Sequence, residues 1–135
     1  MSIRLSHAFV SVHDQDEALK FYRDALGLEV INDVVFDNYR WLALRAKDQP
    51  DVEVVLEPAA MAHPADAQTL RELMAKGSLT GLIFQVDSVD ETFERLQAAG
   101  FEVLQEPIDQ GYGVRDCAFR DPSGNMVRFS APLAA

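Results

Sequence analysis

Along the stretch His7 to Val12 the two sides of an extended run differ in polarity: His7, Phe9 and Ser11 fall on one side and the wholly aliphatic Ala8, Val10 and Val12 on the other. A period of two predicts a strand, here over about Arg4 to Val12, with the small aliphatic side as the one that packs under helices. The pattern then changes to a helical one. Asp14 followed by Glu17 has the spacing of a capping box, Ala18, Phe21, Tyr22 and Ala25 recur on one helical face, and Gly27 supplies the stop. Three further β-branched and aromatic runs follow, LEVINDVVF, RWLALRA and DVEVVLEP, separated by the turn-type stretches DN and KDQPD.

This order is used twice. Val86 stands 74 residues after Val12, Ser88 the same distance after Asp14, Glu91 after Glu17 and Pro132 after Pro58, whereas Val103 follows Val30 by 73. Ser88 with Glu91 repeats the capping box, Gly100 repeats the helix stop, and EVLQEP, GVRDCAFRD and NMVRFSAP repeat the three strands. The chain is therefore expected to be α+β, with two βαβββ modules in tandem: module one over 1–60, a connecting helix over 63–77 and module two over 78–135. Between the copies, Ala67, Leu70 and Met74 share a helical face, with Pro64 near its start and Gly77 at its end.

Composition narrows the class of partner. With 48% hydrophobic and 25% charged residues, the 135-residue chain has the makings of an ordinary globular domain. Its formal net charge of -10 excludes a phosphate-binding surface and so predicts no nucleic-acid partner; no segment has the length of a membrane span. A single cysteine, Cys117, forms no internal disulfide and is read as a small buried hydrophobe, in keeping with a reducing, cytoplasmic setting. Walker-type and dinucleotide fingerprints are missing, and PSG reads as a hairpin turn.

The repeated unit, opening SHAFVSV and closing DPSGNMVRFS, together with the signals FYRDALGLEV and FRDPSGN, resembles the vicinal oxygen chelate superfamily, which includes glyoxalase, bleomycin-resistance proteins and extradiol dioxygenases. The resemblance spans essentially the whole chain. It implies a cupped mixed sheet around a small-molecule cleft with helices outside, a homodimer, and, in the metal-dependent members, one metal ligand on the first and one on the last strand of each module.

His7 occupies the first-strand position, and Gly81 its counterpart 74 residues later; Arg128 stands where the resemblance implies a terminal glutamate. The counterpart of Arg128 in module one is Val54, or Glu53 or Glu57 if the register shifts. Glycine offers no side chain and guanidinium is a donor only, so neither a metal nor another cofactor is expected. His7 and Arg128 are the candidate catalytic residues. Gln85, which shares strand parity with Gly81, together with Glu57, Trp41 and Arg115, are the candidate ligand contacts. Two functions follow: an enzyme of the lyase, isomerase or dioxygenase type working on a small anionic or carbonyl-bearing molecule without the family metal, or a protein that sequesters such a molecule.

Overall fold

A computed structural model describes residues 1–79 and 81–133. The backbone forms two compact units, Met1–Glu72 and Leu73–Ala135. The first contains β1 (His7–Val12), α1 (Gln15–Leu19) running into a π-helical turn (Lys20–Ala25), β2 (Glu29–Phe36), β3 (Tyr39–Ala46) and β4 (Gln49–Pro58). Then α2 (Pro64–Ala75) leads to β5 (Leu82–Gln85), α3 (Val89–Ala98), β6 (Val103–Asp109), β7 (Val114–Arg120) and β8 (Met126–Pro132). Thr80, at the head of the run read as the first strand of the second copy, lies outside the described residues, as do Ala134 and Ala135.

The repeat is real at the level of topology. One four-stranded sheet has the order β1-β4-β3-β2 and the other β5-β8-β7-β6, so in each the first strand lies parallel to the last and the remaining pairs are antiparallel. Each unit thus holds one four-stranded mixed sheet of a βαβββ module, as the α+β reading expects. The segment read as the connecting helix, 63–77, is helical over Pro64–Ala75, and the division between units falls inside it. The first strand begins at His7, three residues later than the hydrophobic pattern suggests.

Both helix starts are capped as the spacing predicts: the Asp14 carboxylate accepts from the Glu17 amide at 2.9 Å and the Ser88 hydroxyl from the Glu91 amide at 3.2 Å. The first copy, however, has one more residue between cap and glycine than the second. The chain absorbs it by widening the helix: Leu26 N–H donates to Phe21 O, a five-residue span, and Leu28 N–H to Tyr22 O. That winding places Phe21 and Tyr22 side by side in the core, both fully buried. Between β2 and β3 only Asp37 and Asn38 intervene, both at positive φ, the two-residue primed turn whose twist matches the strands it joins.

In the second unit the stretch DPSGN sets the register of the last strand. The Asp121 carboxylate accepts from the amides of Ser123 and Asn125 and from the Asn125 side chain, and all three residues are buried. Gly124 lies against the Met74 and Ala75 backbone at the end of α2, so close that a Cβ would collide with it. The turn therefore delivers β8 in one frame, with Val127 and Phe129 buried and Met126, Arg128 and Ser130 on the opposite face.

Candidate functional site

In the first unit the register is continuous from His7↔Glu53 through Phe9↔Val55 to Ser11↔Glu57. This resolves the frame of β4. Val54 pairs with Ala8 and is buried on the helix side, whereas Glu53 and Glu57 share the other face with His7. The imidazole Nε2 lies 3.5 Å from Glu53 Oε2, and Ser6 Oγ lies 2.8 Å from Nδ1. With the proton on Nε2 the ring faces the carboxylate with a donor and accepts from the serine hydroxyl, an assignment that suits both neighbours. Glu53 Oε1 is shut away from solvent and has no hydrogen-bond partner among the described residues.

Around this polar pair the face is aromatic. Trp41 meets His7 and Phe9 edge-on, each with ring centres 5.9 Å apart, and Val34 is the cross-strand partner of Trp41. Phe36 packs edge-on against Tyr39. Phe9 and Phe36 remain more than half exposed, at 54% and 58%. Burial, with the charge of Glu57 beside it, raises the Tyr39 hydroxyl above its ordinary pKa.

The equivalent face of the second unit carries a polar cluster on β6, β7 and β8. Asp116, only 1% exposed, is its centre. Its Oδ1 accepts from Gln105 Nε2 at 2.7 Å and Gln110 Nε2 at 2.9 Å, and its Oδ2 from the Tyr112 hydroxyl at 3.3 Å, with Arg128 Nη1 at 3.4 Å. Burial pushes this carboxyl up, but the two glutamine amides, the Arg128 charge and the tyrosine hydroxyl outweigh it and hold it below the ordinary carboxylate range. Arg128 also donates from Nη1 to Gln105 Oε1 at 2.8 Å. Ile83 lies beside Arg128 in the parallel pair, exposed, and Gln85 is exposed beside Ser130.

The resemblance implies a divalent metal, and the donor set meets that requirement only by half. His7 Nε2 and the unpartnered Glu53 Oε1 are of the right chemistry. Gly81 has no side chain, and none fits, because a Cβ there would overlap the Met126 carbonyl oxygen. Arg128 presents donors and a positive charge. Among the described residues no three His, Cys, Asp or Glu side chains gather to hold a metal ion. The residues present do not fit the group.

Of the sequence candidates, the structure brings His7, Trp41 and Glu57 to one face of the first unit, and Arg128 and Gln85 to one face of the second. It does not bring Arg115 there. Arg115 points to the helix side of β7, where Asp90 takes its Nε and Nη2 and Asp109 its Nη1. Cys117 is fully buried on that same side, its thiol pushed up to about 11 chiefly by burial. Gln105 and Ser6 join the site without having been assigned a role from the sequence, whereas Asp116, next to Arg115 after the glycine-bearing stretch DQGYG, offers a ligand contact from the sequence and stands at the centre of the cluster. Strand parity held the clue to Asp116, since it stands opposite Ser130 and one step from Ala118, the partner of Arg128.

Comparison with known proteins fits this geometry. The chain is similar in structure to UcmS2, with 38% identity, a TM-score of 0.88 and coverage of 96% of this chain and 98% of that one. It is similar to TnmS3, an antibiotic-binding protein from Streptomyces sp. CB03234, with 31% identity, a TM-score of 0.78 and coverage of 98% and 99%. In sequence it is 26% identical to the lactoylglutathione lyase of Neisseria meningitidis over 94% of this chain and 89% of that one. The model of the glyoxalase/bleomycin resistance protein/dioxygenase superfamily matches residues 4–129, and the chain belongs to that superfamily.

Proposed function

We propose that this protein binds a small anionic or carbonyl-bearing molecule without a divalent metal, and that it sequesters this molecule. The observation that carries the reading is the exchange of the second unit's two metal-ligand positions for a glycine whose Cβ position is occupied by the Met126 carbonyl and an arginine tied to Gln105 and Asp116. Arg128 takes over the grip on ligand oxygens. Asp116 is a poor general base, because Oδ1 accepts from two glutamine amides, Oδ2 accepts from the Tyr112 hydroxyl beside the Arg128 charge, and its pKa is lowered. Likeness to an antibiotic-binding protein at 31% identity supports sequestration.

Catalysis is the second reading, favoured by the His7 and Glu53 pair and by the 26% identity to a lactoylglutathione lyase. A thermal-shift screen of chelator-treated protein against carboxylates, dicarbonyls and aromatic antibiotics separates the two. A hit recovered unchanged after long incubation supports sequestration; steady conversion of the hit supports catalysis. The working form is a homodimer in a reducing compartment, consistent with the single free cysteine, and sedimentation showing only monomer at micromolar concentration would remove the dimer from this reading.

A further inference from the structure

Five arginines, Arg23, Arg40, Arg115, Arg120 and Arg128, are held by side-chain carboxylates or amides, and Arg128 alone among them leaves its Nε uncommitted among the described residues; Arg120 gives its Nε to Glu102 and its Nη1 to the Gly124 carbonyl. Arg23, Arg40 and Arg115 each present the two parallel N–H donors of Nε and Nη2 to one carboxylate: Asp24 at 2.7 and 3.3 Å, Asp33 at 2.8 and 2.9 Å, and Asp90 at 3.2 and 2.9 Å. Arg128 is anchored from the other end. Its Nη1 carries both contacts, to Gln105 and to Asp116, while Nη2 has only the Met126 thioether at 3.7 Å and Nε has no partner among the described residues.

From this we infer that the Nε and Nη2 edge of Arg128 receives two adjacent oxygens of an uncharged ligand, and that Asp116 sets the preference for an uncharged group over a carboxylate. This rests on the reading of Arg128 as the ligand grip and narrows it. The edge has the geometry for two neighbouring acceptors, such as a carbonyl with a vicinal or ortho hydroxyl oxygen. The anchored Nη1 and the limited exposure of the side chain, 24%, fix the fork before anything binds. A carboxylate would fit the same two donors, so charge decides. Asp116 sits 3.4 Å from the guanidinium, buried and ionised, and it cancels most of the attraction that would offset stripping water from an incoming anion. The chain's net charge of -10 acts in the same direction. Asp116 already accepts from Gln105, Gln110 and Tyr112 beside the Arg128 charge, acts on the ligand through Arg128, and is a positioning residue. Exposed Ile83, beside Arg128 in the sheet, gives the ligand's carbon skeleton an apolar rest.

The test compares salicylamide with salicylate, two probes of one skeleton that differ in charge, by heteronuclear NMR at pH 7. The Arg128 Nε–H signal is identified by its loss in Arg128→Gln. Salicylamide is expected to shift that signal in the wild type and to bind about tenfold more tightly than salicylate. In Asp116→Asn the preference should vanish or invert. If salicylate shifts the Arg128 signal at equal or lower concentration than salicylamide, the charge preference is overturned while the grip stands. If neither probe moves that signal although other resonances shift, or if nothing shifts at all, Arg128 is not a ligand contact and the underlying reading fails with it. The wild-type comparison decides the matter even if Asp116→Asn does not fold.

Discussion

Replacing Asp116 by asparagine changes charge and almost nothing else, which makes it a test of how the polar cluster of the second unit is held. The carboxylate is 1% exposed and accepts from Gln105, Gln110 and Tyr112 beside the Arg128 charge. Asparagine keeps one oxygen for the two glutamine amides but turns an NH2 group toward two donors, the tyrosine hydroxyl and Arg128. Losing a charge-assisted contact costs about 1.5–3 kcal/mol, while a neutral side chain recovers part of the desolvation that burial imposed on the carboxylate. The net loss at pH 7 should be about 1–2 kcal/mol. Its pH dependence has a definite sign. The folded pKa lies below the ordinary 3.8, so the contribution is fully present above that value and is lost as pH falls through the folded pKa, where the unfolded chain takes up its proton first. Urea unfolding from pH 7 down to about pH 3 should therefore show the gap between wild type and Asp116→Asn narrowing with acid. A gap that stays constant, or an asparagine variant as stable as wild type at pH 7, would refute this account of the cluster.

Gly81→Ala should destabilise the fold by about 1–3 kcal/mol, because its Cβ meets the Met126 carbonyl and β8 must shift, whereas Gly111→Ala, which meets open space, should leave the thermal midpoint nearly unchanged; equal midpoints would remove the steric explanation for glycine at the metal-ligand position. Cys117, fully buried with its thiol pushed up to about 11, should resist a disulfide-exchange reagent at pH 8 until urea unfolds the chain, and prompt modification of native protein would contradict its assignment to the core.

The repeat was legible because each copy is punctuated by residues with a physical duty, the caps at Asp14 and Ser88 and the helix stops at Gly27 and Gly100. Even the mismatch of one residue between copies was visible. Its accommodation as a π-helical turn was not, since both windings bury the same Phe21 and Tyr22 face. Strand parity told which face Arg128 takes, but it could not tell which of Glu53, Val54 and Glu57 faces His7, because one bulge would exchange them; the unbroken β1 to β4 register decides it. Arg115 was chosen for its place after the glycine-bearing loop DQGYG, and its strand parity, shared with Cys117, points to the helix side. A long side chain with carboxylates on both sides goes to them, and Asp90 comes from a distant part of the sequence at the start of α3. For Asp116 the sequence shows its place after the glycine-bearing loop but not its burial: an acidic residue in a strand looks solvated until its three donors and the Arg128 charge, from separate stretches, are brought together.

The measurement that tests the central claim most directly is an equilibrium titration of chelator-treated protein with the tightest ligand from the screen, run in the presence of EDTA for wild type and for Arg128→Gln. Metal-independent capture by Arg128 predicts the same Kd with and without EDTA, and a Kd raised about 5- to 150-fold in Arg128→Gln, the equivalent of about 1–3 kcal/mol, with little change in thermal midpoint. Binding that disappears in EDTA and returns with a divalent metal, or a Kd that Arg128→Gln leaves unchanged, would contradict it.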